Sequence, residues 1–187
     1  MKTINSIKFL SLLAMVLVMT ACGSDDPDPV NEEELITTVR VTFTNAAAPT
    51  VTATFTDLDG PGGNDPVLEN PTLMTNTTYT VAVEFLNEQE SPAEDITVEV
   101  SEEDDEHQVF FVIGTGLNAT YAYTDQDGNG NPLGLAGTFT TAGAGAGNLT
   151  VTLIHEPVKT AAGVSSGDPT NADGETDVEV TFSVTVQ

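Results

Sequence analysis

The stretch Thr78-Tyr79-Thr80-Val81-Ala82-Val83-Glu84-Phe85 decides the fold class. Tyr79, Val81, Val83 and Phe85 fall on every second position, with Thr, Ala and Glu between them. In an extended chain that period sends the apolar set to one face and the remainder to the other. The pattern recurs on both sides. Upstream it is carried by Val39, Val41 and Phe43, then by Val51, Ala53 and Phe55. Downstream it is carried by Ile96, Val98 and Val100, by Val109, Phe111 and Ile113, and by Ala119, Tyr121 and Tyr123. Leu149, Val151 and Leu153 follow, and Val178, Val180, Phe182, Val184 and Val186 close the chain. Val and Thr, both good strand formers, dominate these runs, and no segment carries a helical period. The expectation is an all-β protein of eight half-buried strands.

The runs also repeat. Thr56-Asp57-Leu58-Asp59-Gly60-Pro61-Gly62 resembles Thr124-Asp125-Gln126-Asp127-Gly128-Asn129-Gly130, with residues 57 and 125 lying 68 positions apart. The same spacing aligns Val41 with Val109, Phe43 with Phe111, Phe55 with Tyr123 and Val83 with Val151. An even spacing maps inward positions onto inward positions. Asp95-Ile96-Thr97-Val98 then matches Asp177-Val178-Glu179-Val180 at a longer spacing, which implies an inserted loop near residues 158 to 175. We read a tandem duplication of a four-strand unit, with copies at about 35–102 and 103–187. Either half alone is below the size that folds readily, so residues 35–187 are expected to form one domain. The expected architecture is a single eight-strand antiparallel β-sandwich of Greek-key, immunoglobulin-like kind, with an eight-strand β-barrel as the alternative. Small apolar residues, 6% aromatics and no Trp favour two thin sheets over a ligand-holding barrel.

Ahead of this domain, residues 1–21 carry Lys2 and Lys8 and then an apolar run from Phe9 to Met19. That run is short of the roughly 20 residues needed to span a bilayer and reads as a secretory signal peptide. It ends in Met19-Thr20-Ala21-Cys22, which resembles the lipobox of bacterial lipoproteins. The resemblance implies that Cys22 is lipidated and becomes the mature N-terminus, anchored to a lipid membrane by its acyl chains. Gly23-Ser24-Asp25-Asp26 is similar to the surface-export signal of lipoproteins from Bacteroidota-type bacteria. That similarity implies display on the outer face of the outer membrane. Residues 22–34 read as the lipidated cysteine and a flexible acidic tether. Cys22 is the only cysteine, so neither a disulfide nor a thiolate zinc site is expected.

The formal net charge is −25, with 29 acidic residues against 4 basic ones. Without Lys2 and Lys8 only Arg40 and Lys159 oppose the same 29 acids, and the charge becomes −27. Nucleic-acid partners are excluded, since phosphate contacts need Lys and Arg.

Two groups of residues could carry chemistry. Asp57 and Asp59 in the first copy, with Asp125, Asp127 and Asn129 in the second, place alternating oxygen donors on a glycine turn, as calcium loops do. Ala136 stands where a bidentate Glu would complete an EF-hand, and good turn formers after a strand explain the same letters. The second group is the acidic run Glu102 to Glu106 with His107, expected at a hairpin turn, and the pair His155-Glu156. Glu106, His107, His155 and Glu156 would suit zinc or a similar transition metal if the two histidines meet, which depends on the strand order. No Ser/His/Asp phrase of recognisable spacing is present and lipidation of Cys22 leaves no thiol nucleophile, so an enzyme is not expected. Tyr79, Tyr121 and Tyr123, the only candidates for a sugar-stacking platform, fall on the inner face.

The overall plan resembles the small accessory lipoproteins that work beside outer-membrane uptake receptors in Bacteroidota. The expected function is a non-enzymatic, membrane-anchored binding module, with a divalent cation and an outer-membrane receptor as its partners. A structural or adhesive surface module is the alternative.

Overall fold

The computed structural model describes residues 35–60 and 62–187. The leader, Cys22 and the tether lie outside the described residues. The strands are β1 (Thr38–Asn45), β2 (Ala48–Thr56), β3 (Val67–Glu69), β4 (Thr72–Leu73), β5 (Thr78–Asn87) and β6 (Glu94–Asp95). Helix α1 (Ile96–Glu102) comes next. The remaining strands are β7 (His107–Ile113), β8 (Ala119–Tyr123), β9 (Ala136–Thr141), β10 (Gly145–His155) and β11 (Glu175–Val186). They form two sheets, ordered β3-β2-β1-β5-β9-β8, with β6 also on β5, and β4-β11-β10-β7. The chain is an all-β sandwich, not a closed barrel.

The period-two reading places the core correctly. Val39, Val41 and Phe43 of β1 and Tyr79, Val81, Val83 and Phe85 of β5 are buried. They meet Leu149, Val151 and Leu153 of β10 and Val180, Phe182, Val184 and Val186 of β11 in one apolar cluster. Each such side chain contributes roughly 1.5–3 kcal/mol by leaving water. Phe43 makes edge-to-face contacts with Tyr79 and Phe139, its ring centre 6.2 and 5.4 Å from theirs. On the outer face Arg40 lies across from Glu84 and donates to its carboxylate at 3.0 Å.

One expected strand is a helix. Ile96, Val98 and Val100 alternate, but Ile96 and Val100 are also four apart. On a helix they share a face and are buried, while Val98 stays 53% exposed. Asp95 caps the helix by accepting from the Thr97 N–H at 3.1 Å. The Thr97 hydroxyl then accepts from the Phe85 N–H at 2.9 Å, a bond made by a side chain to the β5 main chain. The acidic run Glu102 to Glu106 therefore begins with the last residue of a helix and is not a hairpin turn between two strands.

The described residues hold eleven strands rather than eight: β3, β4 and β6 are short additions, and β9 is a full strand whose Gly137 and Thr141 conceal the alternation around Phe139. A Cβ on Gly137 would stand 2.3 Å from the Tyr121 hydroxyl, so the ring needs glycine beneath it. All strand pairs are antiparallel except β4 with β11.

The two segments aligned by the sequence spacing differ in their elements: β6 and α1 close the first, whereas β11 closes the second. The β1–β5 pair and the β7–β10 pair are counterparts. Val41 lies across from Val83, whereas Val109 lies across from Leu153. That register differs by two residues, which preserves the inward faces. The partners of β1 and β7 differ more. β1 pairs with β2 in one sheet, whereas β8 leaves β7 and joins the opposite sheet beside β9.

The segment between β10 and β11 contains two short 3-10 turns, Val164–Ser166 and Pro169–Asn171. Val164 and Ala172 from this segment cover Phe110 and Ile154 on the outer face of the second sheet. The Gln108 amide donates to the Val164 carbonyl at 3.1 Å. With both faces covered, His107 through Phe111 are all buried.

Candidate metal site

The strand order settles the question of the histidines. His155 at the end of β10 lies directly across from His107 at the start of β7. Their rings stack with centres 4.6 Å apart and planes 12° from parallel. His107 is fully buried, with its Nδ1 3.2 Å from the Glu103 carbonyl oxygen. His155 is the accessible member of the stack, and its Nε2 lies 3.7 Å from Glu106 Oε2.

Glu106, His155 and Glu156 can each offer one ligand atom, and these atoms all lie within 4.8 Å of one another. Two carboxylates and an imidazole make a donor set for a divalent ion of the zinc class, with room for further ligands because both glutamates are exposed. The structure thus brings together three of the four residues expected from sequence, and sets His107 behind them as the ring against which His155 rests.

The local backbone serves this arrangement. Glu156 takes a left-handed conformation, φ 51°, and its N–H donates to the Glu106 carbonyl at 2.6 Å. Such a conformation is costly for a residue with a Cβ and persists where its surroundings enforce it. Gly174 allows the chain entering β11 to approach, since a Cβ there would stand 2.3 Å from the His155 carbonyl oxygen. Glu175 then lies across from His155 on its other side.

The calcium-like loops are separately built. In the first, Asp57 accepts from the Gly60 N–H at 2.9 Å, and Asp59 accepts from the Asn64 N–H at 3.0 Å and its amide at 2.6 Å. The Asn64 main-chain and side-chain donors hold the Asp59 carboxyl below its ordinary range. In the second loop Asp125 accepts from the Gly134 and Ala136 N–H groups at 2.9 and 2.8 Å. Asp127 is only 4% exposed. One of its oxygens accepts from the N–H groups of Asn129 and Asn131, at 2.9 and 2.8 Å. The other accepts from the Lys159 ammonium and the Asn131 amide, both at 3.1 Å.

The positive charge facing Asp127 is therefore a lysine, itself only 5% exposed. Lys159 also donates to the Asp104 carbonyl. Burial pushes the Asp127 carboxyl up, but the donors from Asn131 and Lys159 outweigh it and hold the group below the ordinary carboxylate range. Asn129 contributes a main-chain N–H to this network.

Sequence reasoning counted Lys159 only as a residual charge and missed its role. The only lysine outside the leader of so acidic a chain was the available signal. The tyrosines fill space. Tyr79 is buried and its hydroxyl accepts from the Met74 N–H at 2.9 Å. Tyr121 and Tyr123 line a cleft of about 270 Å³ with Phe111 and Ser166. Tyr121 stacks on Phe111 at 3.9 Å, and the Tyr123 hydroxyl donates to the Val109 carbonyl at 3.0 Å. Burial pushes the Tyr123 phenol up to about 12.

The chain matches no family model, no curated protein and no solved structure.

Proposed function

We propose that this protein is a non-enzymatic, lipid-anchored binding module of the bacterial outer membrane that captures a divalent transition-metal ion at the cell surface. Glu106, His155 and Glu156 are the ligands, and zinc is the representative ion. The observation that carries the reading is the convergence of those three side chains at one end of the β7–β10 pair. The lipobox-like Met19-Thr20-Ala21-Cys22 supports the anchor, and the acidic exterior supports the attraction of cations and the exclusion of nucleic acid. An exposed ion with an incomplete protein shell suits hand-over to a partner. An outer-membrane uptake receptor is the partner of that kind which the export segment favours.

Calorimetric titration of the wild-type protein and His155→Ala with zinc tests the metal reading. Wild-type binding below millimolar concentration, lost in the variant, is expected; equal isotherms would end it. Replacing Cys22 by Ser tests the anchor. The precursor should remain unprocessed and unlipidated, and normal maturation would overturn the export argument.

A second reading is favoured by the Asp127 loop, whose acids are engaged by internal donors. In it the acidic loops shape a structural or adhesive surface module. Thermal melts with and without calcium separate the two calcium roles at Asp57, Asp59, Asp125 and Asp127. A calcium-dependent rise in Tm that disappears when these residues are replaced would make the ion structural.

A further inference from the structure

The metal reading requires two acidic turns to meet, and their charges oppose it. Glu106 ends a run of five consecutive acids, and Glu156 brings a further carboxylate to it. Like charges a few ångströms apart repel unless a cation or a fixed framework gathers them. The framework lies one layer behind the ligands. Lys159 is three residues after Glu156, and its ammonium donates to the main-chain oxygen of Asp104, two residues before Glu106. The same ammonium is held 3.1 Å from Asp127, whose carboxylate is fixed in turn by Asn129 and Asn131. Closer to the site, the Glu156 N–H donates to the Glu106 carbonyl at 2.6 Å and His107 stacks on His155.

We propose that Lys159 is a positioning residue for the Glu106–His155–Glu156 site, an internal cation that holds both ligand-bearing turns in register before any metal arrives. This inference rests on the metal-binding reading above. Lys159 offers no ligand atom to the ion; an ammonium has no lone pair. Its action is to fix the Asp104 main chain and the segment following Glu156 against one buried carboxylate. Binding then does not have to order two mutually repelling turns.

The test uses the full chain in detergent, with Co(II) and Zn(II) as probes. Lys159→Met should weaken Co(II) binding by about 10–100-fold, the usual cost of losing a group that orients metal ligands. Its visible ligand-field bands should also be altered at saturation, while far-ultraviolet circular dichroism stays native. Lys159→Arg, which keeps the charge and the donors, should regain part of the loss; a loss that Arg does not reduce would make the effect structural and overturn the proposal. His155→Ala separates the two claims. If it binds as the wild type does, the metal reading itself fails. If it abolishes binding while Lys159→Met stays within about threefold of wild type, only the positioning role fails. Should Lys159→Met not fold, hydrogen exchange on the metal-free wild type decides. The Glu156 amide should exchange as slowly as the interior amides of β10, and exchange at the rate of an open loop would overturn the proposal.

Discussion

Thr56-Asp57-Leu58-Asp59-Gly60 and Thr124-Asp125-Gln126-Asp127-Gly128 begin alike and end in opposite circumstances. In the first, Asp57 is half-buried and Asp59 exposed, and their carboxylates are answered by donors a few residues away, Gly60 and Asn64. In the second, Asp127 is buried, although Gln126 and Gly128 beside it are exposed. Asp125 reaches forward to Gly134 and Ala136 at the entry to β9, and Asp127 reaches across to Lys159 in the inserted segment. The difference is the burial of Asp127 against the exposure of Asp59. Water satisfies an exposed carboxylate at little cost, whereas a buried one must find donors and a countercharge within the protein. Lys159, in the segment after β10, supplies the countercharge. The same acidic phrase is thus a turn at one position and a structural anchor at the other. Acid content alone does not mark a cation site in this molecule.

The comparison is broken most severely at Lys159. Lys159→Met leaves Asp127 buried without its ammonium and should cost about 3–5 kcal/mol, as removal of one partner from a buried pair does. Urea denaturation would show it as a fall in midpoint with little change in slope. A midpoint shift no larger than that of an exposed substitution would mean that the second loop is no more anchored than the first. Gly134→Ala comes next. Gly134 has φ +95°, and a Cβ there would stand 2.5 Å from the Val109 carbonyl oxygen. A loss of about 1–3 kcal/mol is expected from strain and displacement together. Gly60→Ala in the first loop meets nothing within 4 Å and carries only the conformational penalty of a positive φ. Thermal melts of the two alanine variants should therefore separate, with Gly134→Ala the lower.

How much of this was legible depends on whether local order or tertiary pairing decides it. The inward faces of β1, β5, β10 and β11 followed from alternation, since a half-buried strand has only two sides. Ile96, Val98 and Val100 satisfied the strand period and the i, i+4 helical spacing at once. Asp95 ahead of them, a good N-cap, was the signal that could have favoured the helix. β9 escaped because the Tyr121 ring requires glycine where an apolar residue would have shown the alternation. At the candidate site the right residue types were visible, but their meeting was not. Whether His107 faces His155 depends on β7 pairing with β10 rather than with β8, as the β1–β2 hairpin of the first copy would suggest. Burial of Lys159 depends on where the insertion folds, which no local pattern encodes.

Acid gives a gentler way to sharpen the contrast. Asp127 has its carboxyl held below the ordinary range in the folded protein, so it binds a proton less readily there than in the unfolded chain. Its contribution to stability is therefore present above the unfolded carboxylate range, near pH 4, and is lost as pH falls through the lower folded value. Asp127→Asn removes the titrating group while keeping its shape. The variant should melt below wild type at pH 7, and the gap should close as both are taken toward pH 2. A gap that stays constant with pH would mean that the charge of Asp127 contributes nothing.

The smallest effect is expected in the first loop. Asp59 is also held below its ordinary range, by the main-chain and side-chain donors of Asn64. Solvent screens that group, and the donors it holds can turn to water when it is removed. Asp59→Asn should leave the melting temperature at pH 7 within experimental error of wild type, and its melting curve should follow the wild-type pH profile throughout. The two loops carry carboxylates shifted in the same direction, so a direction of titration cannot rank them. Only burial and a countercharge make the shift of Asp127 count toward folding. If Asp59→Asn lowered Tm as far as Asp127→Asn does, burial beside Lys159 would not be what distinguishes the two loops, and Asp59 would have to be held by something beyond Asn64.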